Sequence, residues 1–379
     1  MVFAILREIA LSARHLISNL SNPGGVQLHS FPPNHDISFP SSMVHRDMEA
    51  EEDKFRFHDL PEDLVRSVFE ASADDPVTPQ WAWARVSKAV QSWVEPILYR
   101  HIAVRYSFEL SRLHRTIVSH PSKPPDFFAS KVKTLSICTR ARSGETLAIE
   151  VLSACPNVSS LEMDVHLPEN EREDLKVGNH LIWKRVRPTR LWISGTMFTR
   201  PHRHFKPSLN LGSQNSNLNP MFMNLSHLEL NGNSTTNLST WSWPSLASVP
   251  TLTHLCVSLV HRSENIAAIY SQLYFAVPSF PPSLSVCIFS ITFSQWLTEA
   301  PQLLGVNIVP DPRVLIAVDE SDCRGNQEGG SAGAGLWFLL DPIWRYRKGD
   351  KEERRKKEVS FWNRAEAKVA ERIRTLNCS

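Results

Sequence analysis

The chain of 379 residues holds no apolar run of about 18 residues, which argues against a membrane-spanning helix. Cysteine is sparse. The six cysteines (138, 155, 256, 287, 323 and 378) lie far apart without a Cys-x-x-Cys pair. Neither a zinc site nor a disulfide framework is indicated, and reduced, buried thiols are expected. Net charge is nearly absent, +2 from 41 basic against 39 acidic residues, which removes a bulk electrostatic case for nucleic acid. Glycine is scarce, 14 against 26 prolines, so short interrupted elements are expected rather than long helices or broad sheets. Catalytic spacing is missing too. There is no Gly-x-Ser-x-Gly, and no Ser/His/Asp or Cys/His arrangement suggests nucleophilic catalysis. His202-Arg-His204 has no third ligand at a useful spacing. Asp319-Glu320-Ser321-Asp322 lacks the oxygen spacing of an EF-hand. Gly329 to Gly335 lacks the Gly-Lys-Ser/Thr ending of a phosphate loop. No catalytic, metal or cofactor residue is therefore assigned, and the chain is read as a non-enzyme.

With 42% hydrophobic and 21% charged residues, the chain can bury a sizeable core. Residues 1–54 read as a leader outside it. Met1 to Leu20 is apolar, but Arg7 and Glu8 interrupt it, which disfavours a secretory signal. A short amphipathic or unstructured stretch is the favoured reading, with a mitochondrial presequence as the alternative. Residues 21–54, ending in Glu49-Ala-Glu51-Glu52-Asp53, show no period and read as disordered. A cytoplasmic or nuclear protein is expected. Asn-x-Ser/Thr triplets at Asn19, Asn157, Asn224, Asn233 and Asn237 would matter only after secretion. The basic run from Arg345 to Lys357 is either a nuclear import signal or, given its interspersed acids, a solvated helix face.

Residues 55–105 carry two apolar faces. Leu60-Pro61 suits a helix start, since the N–H that proline lacks needs no partner at the first helical position. Leu64, Val65, Val68 and Phe69 follow as one face, predicting a helix from Pro61 to Ala71. Asp74, Pro76 and Thr78 form a turn, and a second helix is expected over 81–93, carrying Val86, Val90 and Trp93.

From about residue 130 a strand signature recurs: Val132-Lys-Thr-Leu135-Ser-Ile137, Val158-Ser-Ser-Leu161-Glu-Met163, Thr189-Arg-Leu191-Trp-Ile193, Leu225-Ser-His-Leu228-Glu-Leu230, Leu252-Thr-His-Leu255-Cys-Val257, Leu284-Ser-Val286-Cys-Ile288 and Val314-Leu-Ile316-Ala-Val318. Apolar residues alternate in each, as in a strand with one face buried. Starts roughly 26 to 37 residues apart fit one strand plus a return element per repeat. The segments at 132–137, 161–163, 228–230 and 255–257 are expected to lie side by side in parallel. Glu352 to Leu376 reads as a helix whose stripe of Phe361, Ala365, Val369, Ile373 and Leu376 would cover the last repeat.

The run from Leu60-Pro61 through Val86-Ser87-Lys88 to Trp93-Val-Glu-Pro-Ile-Leu98-Tyr99 resembles an F-box, and more narrowly the F-box-like segment of large fungal families. The strand segments resemble degenerate leucine-rich repeats. A compact α/β domain of short strands is the alternative. The fold class is therefore α/β: a leader (1–54), an F-box-like helical module (55–105), an irregular leucine-rich-repeat-like domain (106–345) and a C-terminal helix (346–379). The resemblance implies a substrate-receptor subunit of an SCF-type ubiquitin ligase. Its helices would bind the Skp adaptor, which bridges to a cullin, and its repeats a protein target; no membrane partner is expected. By position, the adaptor anchors would be Leu60, Pro61, Leu64, Val65, Val68, Phe69, Val86, Val90 and Trp93. The alternatives are that these residues only pack internally in a scaffold without adaptor binding, or that the chain is an enzyme of unrecognised type.

Overall fold

A computed structural model describes residues 60–74, 81–119, 123–139, 145–165, 182, 185–195, 197–198, 207, 218–232, 241–260, 276–292, 311–319, 337–340 and 351–378. The leader, the His202-Arg-His204 segment, the glycine-rich stretch and most of the Asp319 to Asp322 run fall outside these residues. The chain divides into two compact units, one ending at Leu98 and the other beginning at Tyr99.

The first unit holds helix α1 (Glu62–Ala73), a 3-10 turn (Trp81–Arg85) and helix α2 (Lys88–Leu98). The first expected helix is present with shifted bounds, whereas the segment expected as a helix over 81–93 is split into the 3-10 turn and the start of α2. Pro61 stands one position before the first helical residue with extended ψ, and its carbonyl accepts the N–H groups of Leu64 and Val65. Glu62 and Asp63 then fill the first turn, where the helix dipole favours negative charge. The second segment does not run as one helix. Ser87 interrupts it, and its hydroxyl accepts the Val90 N–H at 3.1 Å, capping α2.

The second unit is a nine-stranded sheet whose order in space is its order in sequence, β1 to β9, and every pair is parallel. The strands are β1 (His101–Val104), β2 (Thr134–Ile137), β3 (Ser160–Met163), β4 (Arg190–Ser194), β5 (His227–Gly232), β6 (His254–Val260), β7 (Val286–Thr292), β8 (Val314–Asp319) and β9 (Trp337–Leu340). The parallel pairing expected for the alternating segments is observed, with β4 lying between β3 and β5. β1 belongs to this sheet rather than to the helical module in which its residues were grouped.

Register repeats from strand to strand. Leu135, Leu161, Leu191, Leu228 and Leu255 align across five strands and are all buried. One residue before each of β3 to β6 stands a hydroxyl: Ser159, Thr189, Ser226 and Thr253. Each donates its N–H to the corresponding carbonyl one repeat back, at Lys133, Ser159, Thr189 and Ser226 respectively, and sets its hydroxyl at hydrogen-bond distance from the same carbonyl. This side-chain ladder fixes the turn into each strand and satisfies the carbonyls that leave the sheet there.

One face of the sheet packs on the return elements, which change along the stack. Early returns include the helices α3 (Ser107–Ser119), α4 (Phe127–Lys131) and α5 (Glu145–Ala154). Later ones include 3-10 turns (Pro220–Phe222, Trp243–Ser248 and Val277–Ser279), each with proline in its first two positions. Proline suits a helix start and cannot extend inward, so the proline excess becomes short returns. Against them lies the main core, with Leu152, Phe198, Phe222, Leu228, Leu246 and Phe289 fully buried. Gly195, just after β4, admits the Trp241 indole so closely that a Cβ would sit 2.2 Å from its ring.

The last helix, α6 (Lys351–Cys378), lies on the opposite face. It reaches β7, β8 and β9, but it crosses the sheet instead of capping the end of the stack. Glu358 pairs with Arg190 of β4, Trp362 packs on His227 of β5 and His254 of β6, and Arg372 donates to the carbonyls of Asp311, Pro312 and Val314 at the start of β8. Between Glu358 and Arg372 a helix advances about 21 Å, and β4 to β8 spans about 19 Å, so helix rise and strand spacing match. Of the expected stripe, Phe361, Ala365 and Val369 are buried, whereas Ile373 and Leu376 are 38% and 51% exposed. Trp362 takes the place the stripe lacked.

Candidate functional site

In the small helical unit, Phe69 and Trp83 meet edge to face, with ring centroids 5.1 Å apart. Ala73, Val90, Val94 and Leu98 close the core around them, and Val65, Trp93 and Ile97 pack on it half-buried. The nine residues assigned to adaptor contact therefore separate. Val68, Phe69 and Val90 are buried, and Phe69 and Val90 belong to the unit's own core. Leu60, Val65 and Trp93 are intermediate, and Pro61, Leu64 and Val86 are exposed. Leu64 and Val86 keep 48% and 51% of their surface in solvent. The sequence reading missed Trp81, which is 48% exposed at the start of the 3-10 turn. Ser87 holds this geometry by capping α2 while Val86, next to it, donates its N–H to the Trp83 carbonyl.

The sheet offers a second surface, the face that carries α6. Alternation sends Arg190, His227, His254 and Val286 of β4 to β7 to this side in one row, while Leu191, Leu228, Leu255 and Cys287 go to the core. The next row holds Ser136, Glu162, Trp192, Glu229, Cys256 and Ile288. Polar side chains join neighbouring strands here: Cys138 Sγ donates to Glu162 at 3.5 Å, and Ser258 Oγ to Glu229 at 3.1 Å. Towards β7 and β8 the face turns apolar, and Cys256, Val286, Ile288 and Leu315 form a second cluster with Phe361, Trp362, Ala365 and Val369 of α6. Next to it, Asp311 binds Arg313 through both carboxylate oxygens. Burial pushes the Asp311 carboxyl up, but the Arg313 hydrogen bonds outweigh it and hold the group below its ordinary value.

The thiols on the sheet are separated by face. Cys287 lies in the main core and Cys256 beneath α6, and neither forms a disulfide. Burial raises Cys287 well above an ordinary thiol, and Cys155 is pushed up to about 12, so neither is an activated nucleophile. Among the described residues, no group of three or more metal-ligating side chains converges, and no helix is long and apolar enough to cross a membrane.

Compared with known proteins, the chain matches no family model, no curated protein and no solved structure.

Proposed function

We propose that the chain is a receptor subunit of an SCF-type ubiquitin ligase, with an F-box-like helical unit that docks a Skp adaptor and a leucine-rich-repeat-like sheet unit that holds a protein target. The exposure of Leu64 and Val86 carries the docking part. Both stand outside the core that Phe69, Trp83, Val90 and Val94 form, and so are available to a partner. Helix-in-groove recognition uses such protruding apolar anchors. The repeat part is supported by the sequential all-parallel strand order, the aligned leucines and the hydroxyl ladder. The function needs no bond chemistry in this chain.

A scaffold that keeps the helices without binding the adaptor is the second reading. The burial of Phe69 and Val90 favours it, since these two assigned anchors serve the unit's core. Co-purification of the full chain with the Skp adaptor separates the two. Replacing Leu64 and Val86 together by alanine should lower adaptor affinity by about 2–4 kcal/mol, as for central interface anchors, with the helical circular dichroism unchanged. No adaptor recovered by the parent chain, or equal recovery by the double variant, would favour the scaffold.

A further inference from the structure

Where β5, β6 and α6 meet, two histidines lie face to face. His227 and His254 are register neighbours, with ring centroids 4.3 Å apart and planes within 2°. The Trp362 indole stands edge-on to both, at 5.5 and 4.9 Å. Each ring is fixed from behind by its own strand's ladder hydroxyl: Ser226 Oγ lies 2.9 Å from His227 Nδ1, and Thr253 Oγ1 lies 2.8 Å from His254 Nδ1. From α6, Glu366 lies 3.0 Å from His254 Nε2 and accepts its N–H, so Nδ1 of the neutral ring accepts the Thr253 hydroxyl in place of the Ser226 carbonyl, which keeps its two N–H donors. The other charges facing the pair are Arg190 of β4 and its partner Glu358 of α6. One carboxylate thus touches the stack directly, and a guanidinium stands beside it.

We propose that α6 is a pH-operated cover of the sheet face: the neutral His227–His254 stack holds it down, and protonation of that stack lets it go. This rests on the reading that the sheet unit receives a protein target, because α6 crosses the face from β4 to β8. Two stacked imidazolium rings would repel, and both would lose hydration beneath the Trp362 indole. Burial, then the neighbouring His254 and Arg190, lower His227 from 6.5 to about 3. Burial also lowers His254, although its bond to Glu366 opposes the shift.

The direction follows by linkage. Above pH 6.5 both rings are neutral whether α6 is docked or away. Below it the released state binds protons that the docked state refuses, so docking weakens as pH falls from 6.5 towards 3. His227 contributes up to about tenfold per pH unit in that window, and His254 acts in the same direction against the pull of Glu366.

The cysteines provide the readout. Cys256 is buried under α6, Cys287 is buried in the main core on the other face, and Cys378 is exposed at the helix end. The full chain is pulsed with 4,4′-dithiodipyridine, which reacts with thiols in acid, and modification is read by peptide mass spectrometry relative to Cys378. Between pH 7.5 and pH 5, Cys256 labelling should rise at least about tenfold while Cys287 stays protected. Replacement of both rings by His227→Phe and His254→Phe keeps aromatic packing on Trp362 but cannot take up protons, and should hold Cys256 protected at both pH values. The proposal is overturned if Cys256 stays protected in the parent chain at pH 5, if Cys287 opens in step with it, or if the double variant keeps the pH dependence. Should that variant fail to fold, the parent-chain labelling alone decides. Adaptor capture is measured separately at neutral pH, so its failure would remove the receptor reading without touching the labelling result.

Discussion

The two faces of the sheet are built from alternate residues of the same strands, yet they are different materials. The core face is a continuous apolar layer running from β1 to β8 against helices, 3-10 turns and aromatic residues. The α6 face has a small apolar cluster at one end and histidines, carboxylates, hydroxyls and a guanidinium elsewhere. A layer of the first kind holds the fold whatever the solvent conditions. A contact of the second kind is weaker and depends on charge state, so it is the one that can open while the sheet persists.

Breaking the core face should have the largest effect. Leu228→Ala leaves a cavity between β5 and its returns and should cost about 2–5 kcal/mol of global stability in chemical denaturation. Loss of cooperativity with an unchanged midpoint would mean that the repeats unfold separately. Phe361→Ala sharpens the comparison from the other side. It removes the fully buried anchor of α6, and global stability should fall by only about 1–2 kcal/mol, whereas hydrogen exchange of α6 amides rises far more than that of β4 to β6. Equal acceleration in helix and strands would make the two faces one cooperative layer. The smallest effect is expected at the ladder. Thr253→Val deletes one hydroxyl, with its contacts to the Ser226 carbonyl and to His254 Nδ1, but that carbonyl still accepts the N–H groups of residues 253 and 254. The cost should be about 1 kcal/mol by thermal melting, with neighbouring strands unshifted in spectra.

The strands were legible because each has apolar residues two apart, in β3 to β6 with a hydroxyl just before them, a pattern that a parallel sheet with one core face imposes. The alternation around Leu135, Leu161, Leu228 and Leu255 marked strands expected side by side in parallel, and the fold then aligned these leucines with Leu191 in register. β1 was hidden by its brevity and by the helical motif just before it. The position of α6 could not be read, since a periodic stripe says that a helix has an apolar face but not which surface receives it. Ile373 and Leu376 continued that period past the end of the buried contact and stayed in solvent. In the helical unit the difficulty was similar. Leu64, Val65, Val68 and Phe69 are alike in hydropathy, and only the fold decides that Phe69 meets Trp83 while Leu64 faces outward.

The hydrogen bond between Arg190 and Glu358 joins residues 168 positions apart, in a sheet whose strands otherwise pair with the nearest repeat. A stack of nearest-neighbour repeats behaves as a one-dimensional chain, able to fray from either end and to grow or shrink by whole units. A helix fastened at β4 and again at β8 changes that statistics. The stretch it spans acquires a long closed loop, so its units can no longer melt one by one from the C-terminal side while the fastening holds. The slow step in assembling that half of the protein would then be the late closure of the loop, after the strands have already zipped together.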